Sequence, residues 1–399
     1  MRRYDVIIVG SGPAGAAAAF SLAQKGIETA VLEKSAHPRY KPCGGGLTPK
    51  VERVLPFPIR EVSERVVYGA RLTCRGEGEM VVTSSSPVAY LVMRDSFDRR
   101  LAEEARKAGA LLFEGRKVTA VRSDGEGFEV RTAEERFACR FLIGADGVHG
   151  PVRRALFPTR RSRPAPGLEG EFLMGKERVD PVAGEIRVDF GEVPRGYGWV
   201  FPKERHLSVG IGAFAGSLES PKQVLERYLR TDPLLKNLVS RDEAIWTGYP
   251  IPTFTEDSPR VMGKALLAGD AGNLVDPFFG EGTYYAIRSG QMAAETVADA
   301  LRHGRDLGRY DRMLAAELYP EFHAARKLAR LVYAAPRFWC RLIADNPELG
   351  ELYFEALRGN GGYPKFWREL KARAAGVLWT HLKKSVGRRF FGKGLTHPK

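Results

Sequence analysis

Tyr4-Asp5-Val6-Ile7-Ile8-Val9-Gly10-Ser11-Gly12-Pro13-Ala14-Gly15 opens this chain of 399 residues and decides its fold. Asp5–Val9 is a short β-branched run, read as a buried parallel strand. Gly10–Gly15 fits G-x-G-x-x-G. Ala16–Ala23 follows as a strong helix former, and Gly26 stops that helix. Glu28-Thr29-Ala30-Val31-Leu32 reads as a second strand that ends at Glu33-Lys34. In such a unit Gly10 permits the tight turn, and Gly12 lets the backbone approach a pyrophosphate. Gly15 allows close packing of helix on strand, and the helix N-terminus offers free N–H groups to the anion. Glu33 is placed to accept a ribose hydroxyl and disfavours a 2′-phosphate, which points to FAD or NAD over NADP.

Outward from this unit, strand and helix patterns alternate to about residue 160, with hairpins inserted. Asp95-Ser96-Phe97 opens a helix with Asp95 as its expected N-cap. Phe137–Ile143 is a strand that ends in Gly144-Ala145-Asp146-Gly147. From about Arg160 to Tyr249, Pro and Gly separate short strands, the pattern of an antiparallel sheet, and Ser220-Pro221 begins a helix within it. Lys264–Asp270 is again an apolar strand that ends in Gly-Asp, and residues 280–302 read as a small-residue helix. Nearly everything beyond Gly308 is helical.

The expected class is α/β. A Rossmann-type cofactor domain comprises residues 1–60, 90–160 and 260–305, and residues 61–89 and 161–259 form an inserted antiparallel substrate domain. Residues 306–399 form a helical C-terminal region with a basic tail.

Composition narrows the function. Cys43, Cys74, Cys139 and Cys340 form no C-x-x-C, so neither a disulfide framework nor a metal site is expected, and a reducing compartment is. No apolar run reaches the ~18 residues of a spanning helix. Met1-Arg2-Arg3 runs straight into the first strand, so the expected location is the cytoplasm, with possible peripheral contact at the inner membrane surface. The net charge of +14 is uneven: ten Lys/Arg against Glu369 from Gly361 onward put +9 in the tail and +5 in the rest. Phe366, Trp367, Leu370, Val377, Leu378, Trp379 and Leu382 punctuate this tail at helical spacing. A basic amphipathic helix can lie on anionic lipid or pack on the body as a solvated helix. Nucleic acid is not expected, since charge alone supports it and no motif does.

The glycine loop, Gly144-Ala145-Asp146-Gly147 with Arg153, and Gly269-Asp270-Ala271-Gly272, in this order, resemble the FAD-dependent hydroxylase-type flavoproteins. Lys41-Pro42-Cys43-Gly44-Gly45, Tyr197-Gly198-Trp199-Val200-Phe201-Pro202-Lys203 and Gly280-Glu281-Gly282 resemble the geranylgeranyl reductase family within them, over about residues 4 to 372. The resemblance implies FAD, held by Gly10, Gly12, Pro13, Ala14, Gly15, Glu33 and Lys34. It implies that Gly269-Asp270 holds the ribityl hydroxyls. Gly280, Gly282 and Thr283 start a helix toward the flavin's N1/O2 edge, where charge develops on reduction. Arg94 is either beside the phosphates or flavin, or a surface salt-bridge arginine. Asp146 is either a cofactor contact or structural.

Lys41, Cys43, Gly44 and Gly45 form a loop that the resemblance places near flavin and substrate. Cys43 is then a proton donor or a group that shapes the loop, whereas from the residues alone it reads as a small buried thiol. Alternation puts Tyr197, Trp199 and Phe201 on one strand face. By spacing these three fill a sheet core, and by resemblance they and Pro202 line the substrate slot, with Cys43, Tyr197 and Trp199 at the reacting bond.

The implied reaction saturates an isolated C=C of a geranylgeranyl or polyprenyl chain on a lipid, quinone or chlorophyll-type substrate. Hydride goes to one carbon and a proton to the other. No second G-x-G-x-x-G opens a helix, so NAD(P)H and ferredoxin both stay open as donors. Alternatives are a flavin monooxygenase or halogenase on the same fold, and a non-catalytic prenyl-lipid-binding flavoprotein. Halogenases resemble W-x-W-x-I at the aromatic motif, from which Tyr197 and Phe201 depart.

Overall fold

The computed structural model describes residues 1–157, 164–214, 220–239 and 243–391, without the side chains of 77–79, 375, 377–378 and 380–391. The tail side chains of Val377, Leu378 and Leu382 therefore lie outside the described residues, as do residues 392–399.

The first strand, Arg2–Val9, sits inside an eight-stranded sheet. It pairs in parallel with Thr29–Leu32 on one side and Arg136–Gly144 on the other. Parallel pairing continues outward to Leu111–Phe113 and Ala265–Leu267. The unbroken apolar run has a physical reason, since both faces of the strand are covered. Val6 and Ile8 pack with Ala18, Ala19 and Leu22 of the helix Pro13–Ala23 and with Met292 and Val297 of the helix Thr283–His303. Ile7 and Val9 pack on the other side with Val121, Val130 and Val152. The alanine-rich helix lets its neighbour come close: a Cβ on Gly290 would fall 2.1 Å from the Ala14 carbonyl oxygen.

A seven-stranded sheet runs in the order Ala244–Ile251, Ala165–Leu173, His206–Ala213, Gly196–Pro202, Ile186–Phe190, Gly69–Cys74, Glu77–Thr83. Its pairings are antiparallel except Ile186–Phe190 with Gly69–Cys74, which is parallel and differs from the purely antiparallel expectation. Residues 61–89 divide between two sheets. Ser63–Val67 pairs with Ala89–Val92, which also pairs with Gly46–Leu47, in a three-stranded sheet. The chain changes sheet at Tyr68, between the two strands.

One expected cap is displaced. The helix Arg94–Lys107 starts one residue before Asp95, with Met93 at the N-cap. Asp95 accepts the Ser96 amide at 2.6 Å within the first turn, where an acid still favours the helix dipole. Ser220 occupies the N-cap of Pro221–Thr231, but its side chain makes no capping bond.

After Thr283–His303 come Gly308–Glu317, Tyr319–Ala334, Pro336–Asp345, Pro347–Leu357 and Gly362–Phe391. Pro336 and Pro347 each sit at a helix start, where a missing N–H costs nothing. The resulting breaks fold these helices back over the seven-stranded sheet, and Leu328, Leu349, Phe366 and Leu370 share a core with Tyr197 and Trp199. Among the described residues no helix is long and apolar enough to cross a membrane.

Candidate functional site

One cavity of about 820 Å³ runs from the glycine loop to the C-terminal helices. At the loop Gly10 has φ +97°, and a Cβ there would lie 2.5 Å from the Ala145 carbonyl oxygen. A Cβ on Gly15 would lie 1.9 Å from the Gly10 carbonyl oxygen, so Gly15 secures the turn and does not reach the cavity. Gly12 is the N-cap, and Pro13 takes the first helical position. Glu33 is buried on the cavity wall. It accepts the Ser11 amide at 2.8 Å, the Ser11 hydroxyl at 3.0 Å and the Ser35 amide at 3.1 Å, which ties the loop to the second strand.

Behind the loop lies a charge cluster of which sequence reasoning found one member. Asp98, fully buried, accepts Arg94 in a fork at 2.9 and 3.1 Å and faces Arg39 at 3.3 Å. Arg94 is thus half of a buried pair and not a surface salt bridge. Burial would lower its guanidinium, but Asp98 and then Cys43 hold it above its usual range. The i,i+4 spacing of Arg94 and Asp98 was the available signal for that pair. Nothing in the sequence marked Arg39. Its Nε is buried without a hydrogen-bond partner, and its Nη2 stands 3.6 Å from where a Cβ on Gly12 would be. That Nε lies 3.7 Å from Glu33, so the guanidinium is charge-paired but keeps an unmade N–H bond, and such a donor facing a glycine-walled helix N-terminus fits the pyrophosphate of a dinucleotide.

Asp270 lines the cavity from the turn Gly269–Gly272, directly after the strand Ala265–Leu267. The Tyr249 hydroxyl donates to it at 3.2 Å, and Lys41 Nζ lies 3.4 Å from the centre of the Tyr249 ring. Burial lowers the Lys41 ammonium, opposed by Asp270. Gly269 itself is off the wall: at φ +59° it packs against Ala14 and Ala286. Gly280, Gly282 and Thr283 all reach the wall, with Gly282 as N-cap of Thr283–His303. Glu281 between them is held by Lys50 at 2.7 Å and by the Thr48 hydroxyl. Asp146 lines the cavity but accepts the Val152 amide at 2.7 Å, near the start of a short helix. Its other oxygen has no partner, and burial pushes the group up to about 6.

The Lys41–Gly46 loop lies across the aromatic strand. A Cβ on Gly44 would fall 2.9 Å from Trp199 Nε1 and 3.0 Å from the Phe201 ring. Trp199 Nε1 is itself buried without a partner. Beneath the loop stands a residue no motif announced. Glu169 accepts the Cys43 amide at 2.5 Å and the Tyr40 hydroxyl at 3.2 Å. Burial, then the nearby Glu171, pushes Glu169 up to about 7. Cys43 is half-buried on the wall.

Tyr197, Trp199 and Phe201 do share one face, with successive ring centroids 6.0 and 6.3 Å apart, and all three line the cavity. Pro202 does not: strand alternation turns it away from that face. The Tyr197 hydroxyl donates to the Phe279 carbonyl, and burial keeps the phenol above its usual range, so its proton is committed to the scaffold. Further lining, unforeseen, comes from Leu72, Met80 and Val82 of the same sheet and from Leu349, Phe354 and Phe366 of the last helices. Each of these reads as ordinary core in its own segment.

The glycine turn, the arginine beside it and the aromatic arm define a flavin-dependent oxidoreductase fold joined to an apolar chamber. Residues 3–166 match a family model described as an FAD binding domain. The geranylgeranyl diphosphate reductase of Rhodobacter capsulatus is 30% identical over 76% of this chain and 77% of its own. The menaquinone reductase of Mycobacterium tuberculosis H37Rv is 33% identical over 84% and 85%. A crystal structure of a geranylgeranyl bacteriochlorophyll reductase-like protein from Thermoplasma acidophilum superposes with a TM-score of 0.72, at 25% identity over 84% of this chain and 88% of that one. The chain belongs to the geranylgeranyl reductase family of FAD-dependent oxidoreductases.

Proposed function

We propose that this protein saturates isolated double bonds of a prenyl chain carried on a lipid, quinone or chlorophyll-type head group. The observation that supports this reading is the continuity of one cavity from the cofactor cradle to an apolar arm. In that arrangement Gly10, Gly12, Pro13, Ala14, Glu33 and Lys34, with Arg39, hold the dinucleotide, and Asp270 and Gly280–Thr283 hold the flavin end. Bound FAD, once reduced by the external donor, would supply the hydride. The chain's own residues position the alkene and exclude water, which an unactivated acceptor requires.

Tyr197, Trp199 and Phe201 on one side and the C-terminal helices on the other bind the chain by area, at ~25 cal/mol per Å² buried. Cys43, on the wall and fastened through its amide to Glu169, is the proton donor or shapes the loop around it. NAD(P)H or ferredoxin is the external donor. The basic tail adds contact with anionic membrane.

The reading is tested by reducing the flavin without oxygen and adding prenyl substrates in detergent. Reoxidation with formation of a saturated product is expected. A flavin that stays reduced with every prenyl substrate offered sinks the proposal.

A further inference from the structure

The helices Tyr319–Ala334 and Pro336–Asp345 carry a surface that the reaction does not use. From Phe322 to Ala344 the chain has no Asp or Glu, and it has Arg326, Lys327, Arg330, Arg337 and Arg341. Lys327, Arg330, Arg337 and Arg341 are exposed, and among the described residues none has a carboxylate at ion-pair distance. Large apolar side chains stand among these cations. Leu331 is 39% exposed and Phe338 is 37% exposed. Leu331 also lines the cavity, so the apolar arm reaches the surface there. Trp339, likewise on the cavity wall, meets Phe338 edge-on at 5.5 Å.

We infer that this face docks on an anionic lipid bilayer and that the substrate's chain enters beside Leu331. The inference rests on the proposed prenyl-lipid reaction, and it places the main membrane contact at the cavity mouth, with the terminal tail only adding to it. Charge complementarity selects the occupant. Cations ringing an apolar knob match phosphate head groups over acyl chains. A second copy of the chain is disfavoured, because a two-fold contact would set this uncompensated positive face against itself.

Flotation of the full-length, FAD-loaded protein tests it, with vesicles of phosphatidylcholine alone and of equal phosphatidylcholine and phosphatidylglycerol. The expected result is flotation with the anionic vesicles, reduced at least tenfold by Phe338→Asp and by the triple variant K327E/R330E/R341E. Both variants keep the flavin absorbance and the reoxidation rate in detergent, and both lose turnover of substrate embedded in vesicles. Reversing tail charges with K383E/K384E leaves most of the flotation.

The inference is overturned if the protein fails to float, if both face variants float like the parent, or if only the tail variant fails. It is also overturned if sedimentation shows a dimer that Phe338→Asp dissociates. Failure of the detergent assay with flotation intact would remove the reaction and leave the surface. The converse result would remove the surface alone.

Discussion

The Tyr363 hydroxyl donates to Asp276 Oδ2 at 2.8 Å across 87 residues of chain, binding the start of the last helix to the loop before Gly280. Asp276 is fully buried and also accepts the Phe278 amide at 2.6 Å, and burial pushes it up to about 6. Replacing Tyr363 by Phe leaves that carboxyl short of one donor, at a cost of about 1–3 kcal/mol. Thermal melting should drop while the yellow cofactor is retained. An unchanged midpoint would mean that the bond does not hold the helix.

Lys50 is a buried cation between Glu281 and the rings of Tyr284 and Tyr285, 4.6 and 4.4 Å from its ammonium. Burial would lower it, and Glu281 with Glu321 more than offsets that effect. Lys50→Met strands the Glu281 carboxylate, which should destabilise by about 3–5 kcal/mol. Adding Glu281→Gln should restore much of the loss. If denaturant unfolding shows the two changes to be additive, the pair is not coupled.

Two glycines of the loop should part company. Gly15→Ala puts a methyl 1.9 Å from a backbone oxygen, so the turn must break, and colourless or insoluble protein is expected. Gly12, at φ −69°, has room for a methyl but only in the cradle beside Arg39. Gly12→Ala should therefore fold, with FAD affinity weakened tenfold or more by titration. Equal FAD affinity of Gly12→Ala and parent would remove the cradle assignment.

Glu169 should make stability depend on pH. Its unfolded value is near 4.5, and in the fold it rises to about 7. Below 4.5 both states keep the proton. Between 4.5 and 7 the unfolded chain releases it and the native state does not, so the native state loses stability as pH rises. Above 7 the full penalty, roughly 3 kcal/mol, is present. Glu171, Lys203, Tyr40 and the Cys43 amide face the group and set its size. Glu169→Gln, melted at saturating FAD, should gain about a few degrees at pH 8 and nothing at pH 4.5. A gain that is equal at both values would contradict the assignment.

Local patterns carried a good part of the candidate site. The turn Gly10–Gly15, Glu33, Asp270 and the face shared by Tyr197, Trp199 and Phe201 all follow from short-range rules of spacing and backbone geometry. Pro202 was misplaced because a motif was read as a block where strand alternation separates its members. The helix at Arg94 began two residues early, with Met93 and not Asp95 at its N-cap.

The chain by itself determined the parallel sheet, the glycine turn and the aromatic strand, since each is written within a few residues and enforced by local sterics and periodicity. Tertiary structure alone decided that Arg39 meets Asp98, that Glu169 stands under Cys43, and that Leu349, Phe354 and Phe366 close a chamber over Trp199. Those partners lie far apart in the chain, and burial gives an apolar residue the same appearance whether it faces a core or a cavity. Only packing settles which it does.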